Sequence, residues 1–190
     1  MGENTLLKRA LTLEYLTIAW NVFEGASSVL VGILTGSVAL VAYGLESGVE
    51  VFASSVVIWE LKGTGKGREK HALKMIGIAY LIVSLYIFID ASKSLFEGHH
   101  PDRSFIGIIL MVVTIGIMGG LGISKRIVGG KMNSSTVLAD AKFTLIDAFL
   151  SSTVLVGLLF NTLFGWWWMD QALALFLSGV AFREGIKEAF

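Results

Sequence analysis

The sequence predicts an all-α membrane protein whose chain crosses the bilayer six times. Apolar runs longer than ~18 residues recur along the whole chain, the length that membrane spans need. Charged residues make up only 16% of it, where a soluble globular domain carries ~25%. The mean hydropathy of +0.73 agrees. A soluble core of 190 residues could not hide so much apolar surface.

The runs predict helices over roughly 10–35, 37–61, 72–96, 104–124, 132–160 and 164–187, each long enough to cross a hydrocarbon layer of ~30 Å. Residues 1–190 therefore read as a single transmembrane domain, with the lipid bilayer as its first partner. Met1–Arg9 leads directly into an apolar stretch too long for a cleavable signal, so the first helix is expected to act as its own insertion signal. The sixth helix is expected to close the chain, with no soluble domain after it. Pro101, the one proline, falls between predicted helices, so proline kinks are not expected.

The connectors differ in charge. Lys62, Lys66, Arg68, Lys70 and Lys74 cluster around the second connector, and Lys125, Arg126 and Lys131 are assigned to the fourth. Lys8 and Arg9 lie near one terminus, Arg183 and Lys187 near the other. The first and fifth connectors, Leu34–Ser37 and Asn161–Gly165, carry no charge. The positive-inside rule then places both termini in the cytoplasm, and a plasma-membrane location is expected. Trp166, Trp167 and Trp168 mark the outer end of the sixth helix as an interfacial aromatic belt. Small residues four apart give surfaces for close helix pairing: Ser28, Gly32 and Gly36, then Gly44 and Gly48, then Gly116 and Gly120.

Several function classes drop out. The net charge is zero, which gives no bias toward nucleic acid. Cysteine is absent, so disulfides, thiolate metal sites and cysteine nucleophiles are excluded together. No zinc-protease, nucleophile-elbow or phosphate-loop motif occurs. No catalytic residue, enzyme activity or bound cofactor is expected.

What remains is a set of acids inside the apolar runs. Such groups are costly in a bilayer and face the bundle interior or a polar pathway. Glu46 and Glu50 are four apart and share a helix face. Asn21 and Glu24 are three apart, with Ser28 following. Asp140, Thr144, Asp147 and Ser151 step by four, three and four along one stripe. Depth is an independent check. At ~1.5 Å per residue, Glu24, Glu46 and Asp147 all lie ~21–22 Å from the cytoplasmic ends of their helices, and Glu50 ~16 Å. Asp140 is nearer the cytoplasm, and Glu14 and Glu60 continue the stripes toward it.

Carboxylates converging in a low dielectric repel unless protons or a cation neutralise them. A divalent ion neutralises two, and protons taken up as it leaves would couple the two fluxes. A purely structural cluster is the competing reading, with Lys142 pairing Glu46 and Glu50, but Lys142 sits ~200° around its helix from Asp140, off the acidic stripe. Elsewhere Asp90 and Lys93 suggest a local pair, His99 and His100 a solvated outer loop, and Asp170 a cap or an exit position.

Two segments carry a family resemblance. The second helix, GSVALVAYGLESGVEVFASSVV, is similar to the second helix of the cation diffusion facilitators (cation efflux proteins), and the fifth, VLADAKFTLIDAFLSS, resembles that family's fifth helix. The resemblance implies that Glu46, Glu50 and Asp147 bind metal. Phe143 stands where that family carries a histidine, so the missing ligands fall to Glu24, Asn21, Asp140 or Thr144. The N-x-x-E of Asn21 and Glu24, the segment NTLFGWWWMD and the later VAFREG resemble a short subgroup lacking the cytoplasmic C-terminal domain.

The family implies proton-coupled efflux of a divalent metal by alternating access, in a homodimer. The expected metal site comprises Asn21, Glu24, Glu46, Glu50, Asp140, Thr144 and Asp147, and the ion is cargo: Zn²⁺, Mn²⁺ or Fe²⁺. All-oxygen donors suit the harder ions, while the wider family most often moves zinc. The alternatives are a passive divalent cation channel and a membrane interaction protein that transports nothing.

Overall fold

A computed structural model of the chain describes residues 3–63, 68–98 and 100–189. Lys66 and His99, singled out in the sequence, lie outside the described residues. Six helices follow one another: α1 Glu3–Thr35, α2 Val38–Leu61, α3 Arg68–Glu97, α4 Phe105–Met132, α5 Ser135–Phe164 and α6 Trp168–Ala189. All but α6 are long and apolar enough to cross a membrane by length and composition. In α6, Asp170 lies near one end and Arg183, Glu184, Lys187 and Glu188 near the other, which shortens its charge-free stretch.

The most extensive packing pairs are α3 with α6, α4 with α5 and α1 with α2. α2 also touches α3, α5 and α6, and 67% of its most apolar window is buried, against 28–44% for the other four spans, which makes it the central helix. Leu16, Ile33, Ile82, Phe96, Ile106 and Leu163 point outward, as lipid-facing residues do. Close backbone approach fixes two of the pairs. Gly25 and Gly32 of α1 lie against Gly44 and Val41 of α2, and Gly77 of α3 lies against the Gly185 and Ala189 backbone of α6. Gly48, Gly116 and Gly120 do not serve this purpose within the chain: a Cβ at any of them would meet nothing.

The helix ends are set by short polar signals. Gly36 adopts φ 68° between α1 and α2, and Ser37 then caps α2, its Oγ accepting from the Leu40 N–H at 3.2 Å. Asp170 reinforces that cap from α6: it accepts from the Ser37 hydroxyl at 2.6 Å and from the Ala39 N–H at 3.0 Å. Asp170 thus caps α2 from the neighbouring α6. Ser104 and Ser134 cap α4 and α5, and Gly165 at φ 68° ends α5.

The largest departure from the sequence reading concerns the fourth connector. Lys125, Arg126 and Lys131 are helical, because α4 continues to Met132 and stops at Asn133 with φ 51°. Gly122 and Gly129 let this last stretch press against Leu145 and Val137 of α5. Lys125 consequently faces the interior, where acids receive it. α5 likewise runs from Ser135 to Phe164, later at both ends than 132–160.

One end of the bundle carries both termini, with Glu14, Ser54, Lys125 and Asp140 near it. The far end gathers Thr35, Ser37, Asp102, Asn161 and Asp170, tied by the Asp102 N–H donating to the Thr35 carbonyl at 2.6 Å and by Asn161 donating to the Pro101 carbonyl at 3.0 Å.

Candidate metal site

Every residue of the expected site is buried: Asn21, Glu24, Glu46, Glu50, Asp140, Thr144 and Asp147. None faces lipid. They form a chain of contacts along the bundle axis.

At its far-end limit is Glu24. Three hydroxyls donate to its carboxylate: Tyr43 at 2.8 Å and Ser47 at 3.0 Å to Oε1, and Thr114 at 2.6 Å to Oε2. Hydrogen bonds to a charged acceptor are the strong kind. The set holds Glu24 in place and apart from the other acids. Asn21, one turn away, donates to the Thr17 carbonyl at 3.0 Å and lies 3.8 Å from the Met118 sulfur.

Next come Glu46 on α2 and Asp147 on α5, both buried on helices that pack together, with Glu46 Oε2 left without a hydrogen-bond partner. Tyr43, already donating to Glu24, lies beside Asp147. Neither oxygen of Asp147 receives a well-formed hydrogen bond from an N–H or hydroxyl donor. Two carboxylates cannot bond each other without a proton or a cation between them. Glu46 and Glu50 share a donor instead: the Tyr80 hydroxyl lies 3.3 Å from Glu46 Oε1 and 2.6 Å from Glu50 Oε1. The Tyr80 ring stacks on Phe143, with centroids 4.6 Å apart. Phe143 thus supports the phenol that joins the two glutamates.

Thr144 continues the chain, 3.5 Å from Glu50 Oε2 and 3.0 Å from the Asp140 carbonyl, to which it donates. Asp140 itself is engaged by Lys125, which also pairs with Glu14 at 2.8 Å and donates to Thr144 at 3.3 Å and Ser54 at 3.4 Å. The structure therefore brings Glu46, Glu50 and Asp147 together, holds Glu24 aside with hydroxyls, and gives Asp140 a cationic partner. Among the described residues, no three Asp, Glu or His side chains stand ready as they are to hold one ion.

The sequence reading missed six participants: Tyr43, Ser47, Ser54, Tyr80, Thr114 and Lys125. Tyr43 precedes Glu46 by three and Glu50 by seven, a same-face spacing that could have been read. Tyr80 and Thr114 carry no such sign, because they come from other helices. Lys125 was hidden by its basic neighbours. Lys142 pairs with Glu184 and Glu188 of α6, not with Glu46 or Glu50. Lys93 lies 3.9 Å from Glu97 rather than pairing with Asp90, and His100 stacks on Trp167 at 4.4 Å.

Residues 15–190 match the cation efflux transmembrane domain. The chain is 28% identical over 182 residues to the magnetosome protein MamB of Paramagnetospirillum magneticum, covering 90% of this chain and 60% of that protein. It is 27% identical over 162 residues to an uncharacterized transporter of Synechocystis, covering 79% and 51%, and 27% identical over 182 residues to one of Methanocaldococcus jannaschii, covering 88% and 64%. The chain thus spans about half to two thirds of the length of these relatives. The match takes in most of α1, all of α2 to α6 and every acid described above except Glu14, and the chain belongs to the cation efflux family.

Proposed function

We propose that this membrane protein exports a divalent metal cation in exchange for protons, by alternating access to a site built on Glu46, Glu50 and Asp147. The observation that carries the reading is the buried pair of Glu46 on α2 and Asp147 on α5, two helices in contact, in which Glu46 Oε2 and both Asp147 carboxyl oxygens have no hydrogen-bond partner. A divalent ion satisfies that pair with two positive charges, and a proton satisfies it with one. Exchange of one for the other is the antiport step, and the two species compete for the same oxygens.

Glu50 is the third ligand in this reading, brought in from the Tyr80 hydroxyl by a small side-chain movement. Asn21, Glu24, Asp140 and Thr144 are supporting groups around this site, Glu24 held by its three hydroxyl donors and Asp140 by Lys125. The supply of carboxylate, amide and hydroxyl oxygens suits a harder ion such as Mn²⁺, and the cargo is one of Zn²⁺, Mn²⁺ and Fe²⁺. The acids are fully enclosed, with Glu24, Glu50 and Asp147 at 0% exposure. Enclosure of this kind favours a carrier that opens to one side at a time over a passive channel. Both termini are assigned to the cytoplasm by the basic residues at that end of the bundle. A homodimer is the assembly that the family resemblance implies.

Proteoliposomes holding a pH-sensitive dye test the reading. Mn²⁺, Fe²⁺ or Zn²⁺ uptake by the wild-type protein should move protons in the opposite direction, and Glu50→Gln should abolish both fluxes. Metal flux indifferent to a pH gradient would favour the channel. No flux under any gradient would rule out transport.

A further inference from the structure

Lys125 is the one charge in the interior whose sign opposes all the others described there. Its side chain is at 0% exposure, as is that of Glu14. Four oxygens surround the ammonium: carboxylates from Glu14 on α1 and Asp140 on α5, and hydroxyls from Ser54 on α2 and Thr144 on α5. An ammonium has three hydrogens to donate, so it is held by more acceptors than it can bond at once. That is how oxygen ligands surround a cation. Asp140 Oδ1 and both oxygens of Glu14 are buried with no hydrogen-bond partner, Glu14 Oε2 meeting the ammonium as an ion pair. Without the ammonium, two acids and two hydroxyls from three helices would enclose a place of the kind a hard divalent ion takes.

The place adjoins the transport site. Thr144 touches Lys125 on one side and Glu50 on the other, at 3.3 and 3.5 Å. One hydroxyl thus reaches both groups of acids. A metal ion leaving Glu50 toward the termini end would meet a fixed positive charge already holding the next carboxylates.

We propose that Lys125 is a tethered cation that occupies the Glu14–Asp140 position and so confines the transported metal to Glu46, Glu50 and Asp147. The inference rests on the metal-transport reading. In this role Lys125 is a positioning residue: it touches no cargo, and it sets how many ions the carboxylate chain accepts and where.

The test is Mn²⁺ binding to the full chain in detergent, followed by the electron paramagnetic resonance signal of free Mn²⁺. The wild type should bind one equivalent per chain. Lys125→Met should bind two, and Lys125→Met combined with Glu14→Gln should return to one. Should Lys125→Met fold poorly without metal, its melting temperature should rise with added Mn²⁺ by more than that of the wild type. One equivalent in both wild type and a well-folded Lys125→Met overturns the inference, as does a Lys125→Met protein that Mn²⁺ does not rescue. A wild type that binds no Mn²⁺, beside a Lys125→Met variant that binds one equivalent lost with Glu14→Gln, would support the role of Lys125 while removing the transport site. No binding by either would overturn both.

Discussion

Phe143 stacks on Tyr80 with ring centroids 4.6 Å apart and planes inclined by 18°, and the phenol so supported reaches both Glu46 and Glu50. Tyr80 comes from α3, which contributes no acid to the chain of carboxyls. Its hydroxyl is the only group described within hydrogen-bonding distance of both α2 glutamates, which stand one turn apart on one face.

Tyr80→Phe keeps the stacked ring and removes only that donor. Leaving a buried carboxyl without its hydrogen bond costs about 1–3 kcal/mol. The variant should therefore melt at a lower temperature in detergent, and Mn²⁺, which would take over the freed oxygens, should restore part of the loss. Thermal unfolding with and without Mn²⁺ checks this. A variant as stable as the wild type without metal would mean that the bridge contributes nothing.

The two lysines near the termini end separate a buried ion pair from a surface one. Lys142 is 44% exposed where it pairs with Glu184, whereas Lys125 and its partners Glu14 and Asp140 are fully buried. Glu184 is itself buried but keeps a second partner in Lys187 at 2.8 Å, so loss of the solvent-exposed Lys142 should cost about 0–1 kcal/mol, while removing one member of a buried pair costs about 3–5 kcal/mol. Lys142→Met should therefore unfold close to the wild type, and Lys125→Met well below it in metal-free buffer. Circular dichroism melts of the two variants side by side decide the matter. Equal losses would contradict the burial difference.

Asp170 ties the start of α2 to α6 through Ser37 and the Ala39 N–H. Loss of a capping side chain costs about 0.5–2 kcal/mol. Asp170→Ala should lower stability by that amount while leaving Mn²⁺ stoichiometry at the wild-type value, since the cap lies at the far end from Lys125. Altered stoichiometry would show that the α2 cap and the metal site act together.

The helix count, the burial of the acids and the shared face of Glu46 and Glu50 were legible because each depends on sequence-local periodicity. The meeting of Glu46 with Asp147 followed from depth, since helices of known rise place equal counts at equal levels. What could not be read was pairing between helices. Lys125 was assigned to a connector because a basic residue beside Arg126 resembles a cytoplasmic flank, and only the fold places Glu14 and Asp140 around it. The hydroxyls on Glu24 come from Tyr43, Ser47 and Thr114, of which Thr114 is ninety positions away. Small residues four apart were equally ambiguous: spacing alone could not separate Gly44, which meets Gly25, from Gly116, which meets nothing.

That last distinction yields a direct contrast. A methyl group at Gly77 would collide with the Gly185 carbonyl and the Ala189 backbone of α6, neither of which can rotate away. Overpacking of this kind costs about 1–3 kcal/mol. At Gly116 and Gly120 the same methyl meets open space, and alanine is favoured over glycine within a helix by about 0.5–1 kcal/mol. Gly77→Ala should thus destabilise the monomer's α3–α6 pair, whereas Gly116→Ala and Gly120→Ala should be neutral or stabilising within one chain. Size-exclusion chromatography with light scattering, run beside thermal melts, reads both stability and assembly. If Gly116→Ala lowered the melting temperature and shifted the protein to a smaller mass, the α4 face would be packed against a second copy, and its glycines would be serving between chains the role that Gly25 and Gly44 serve within one.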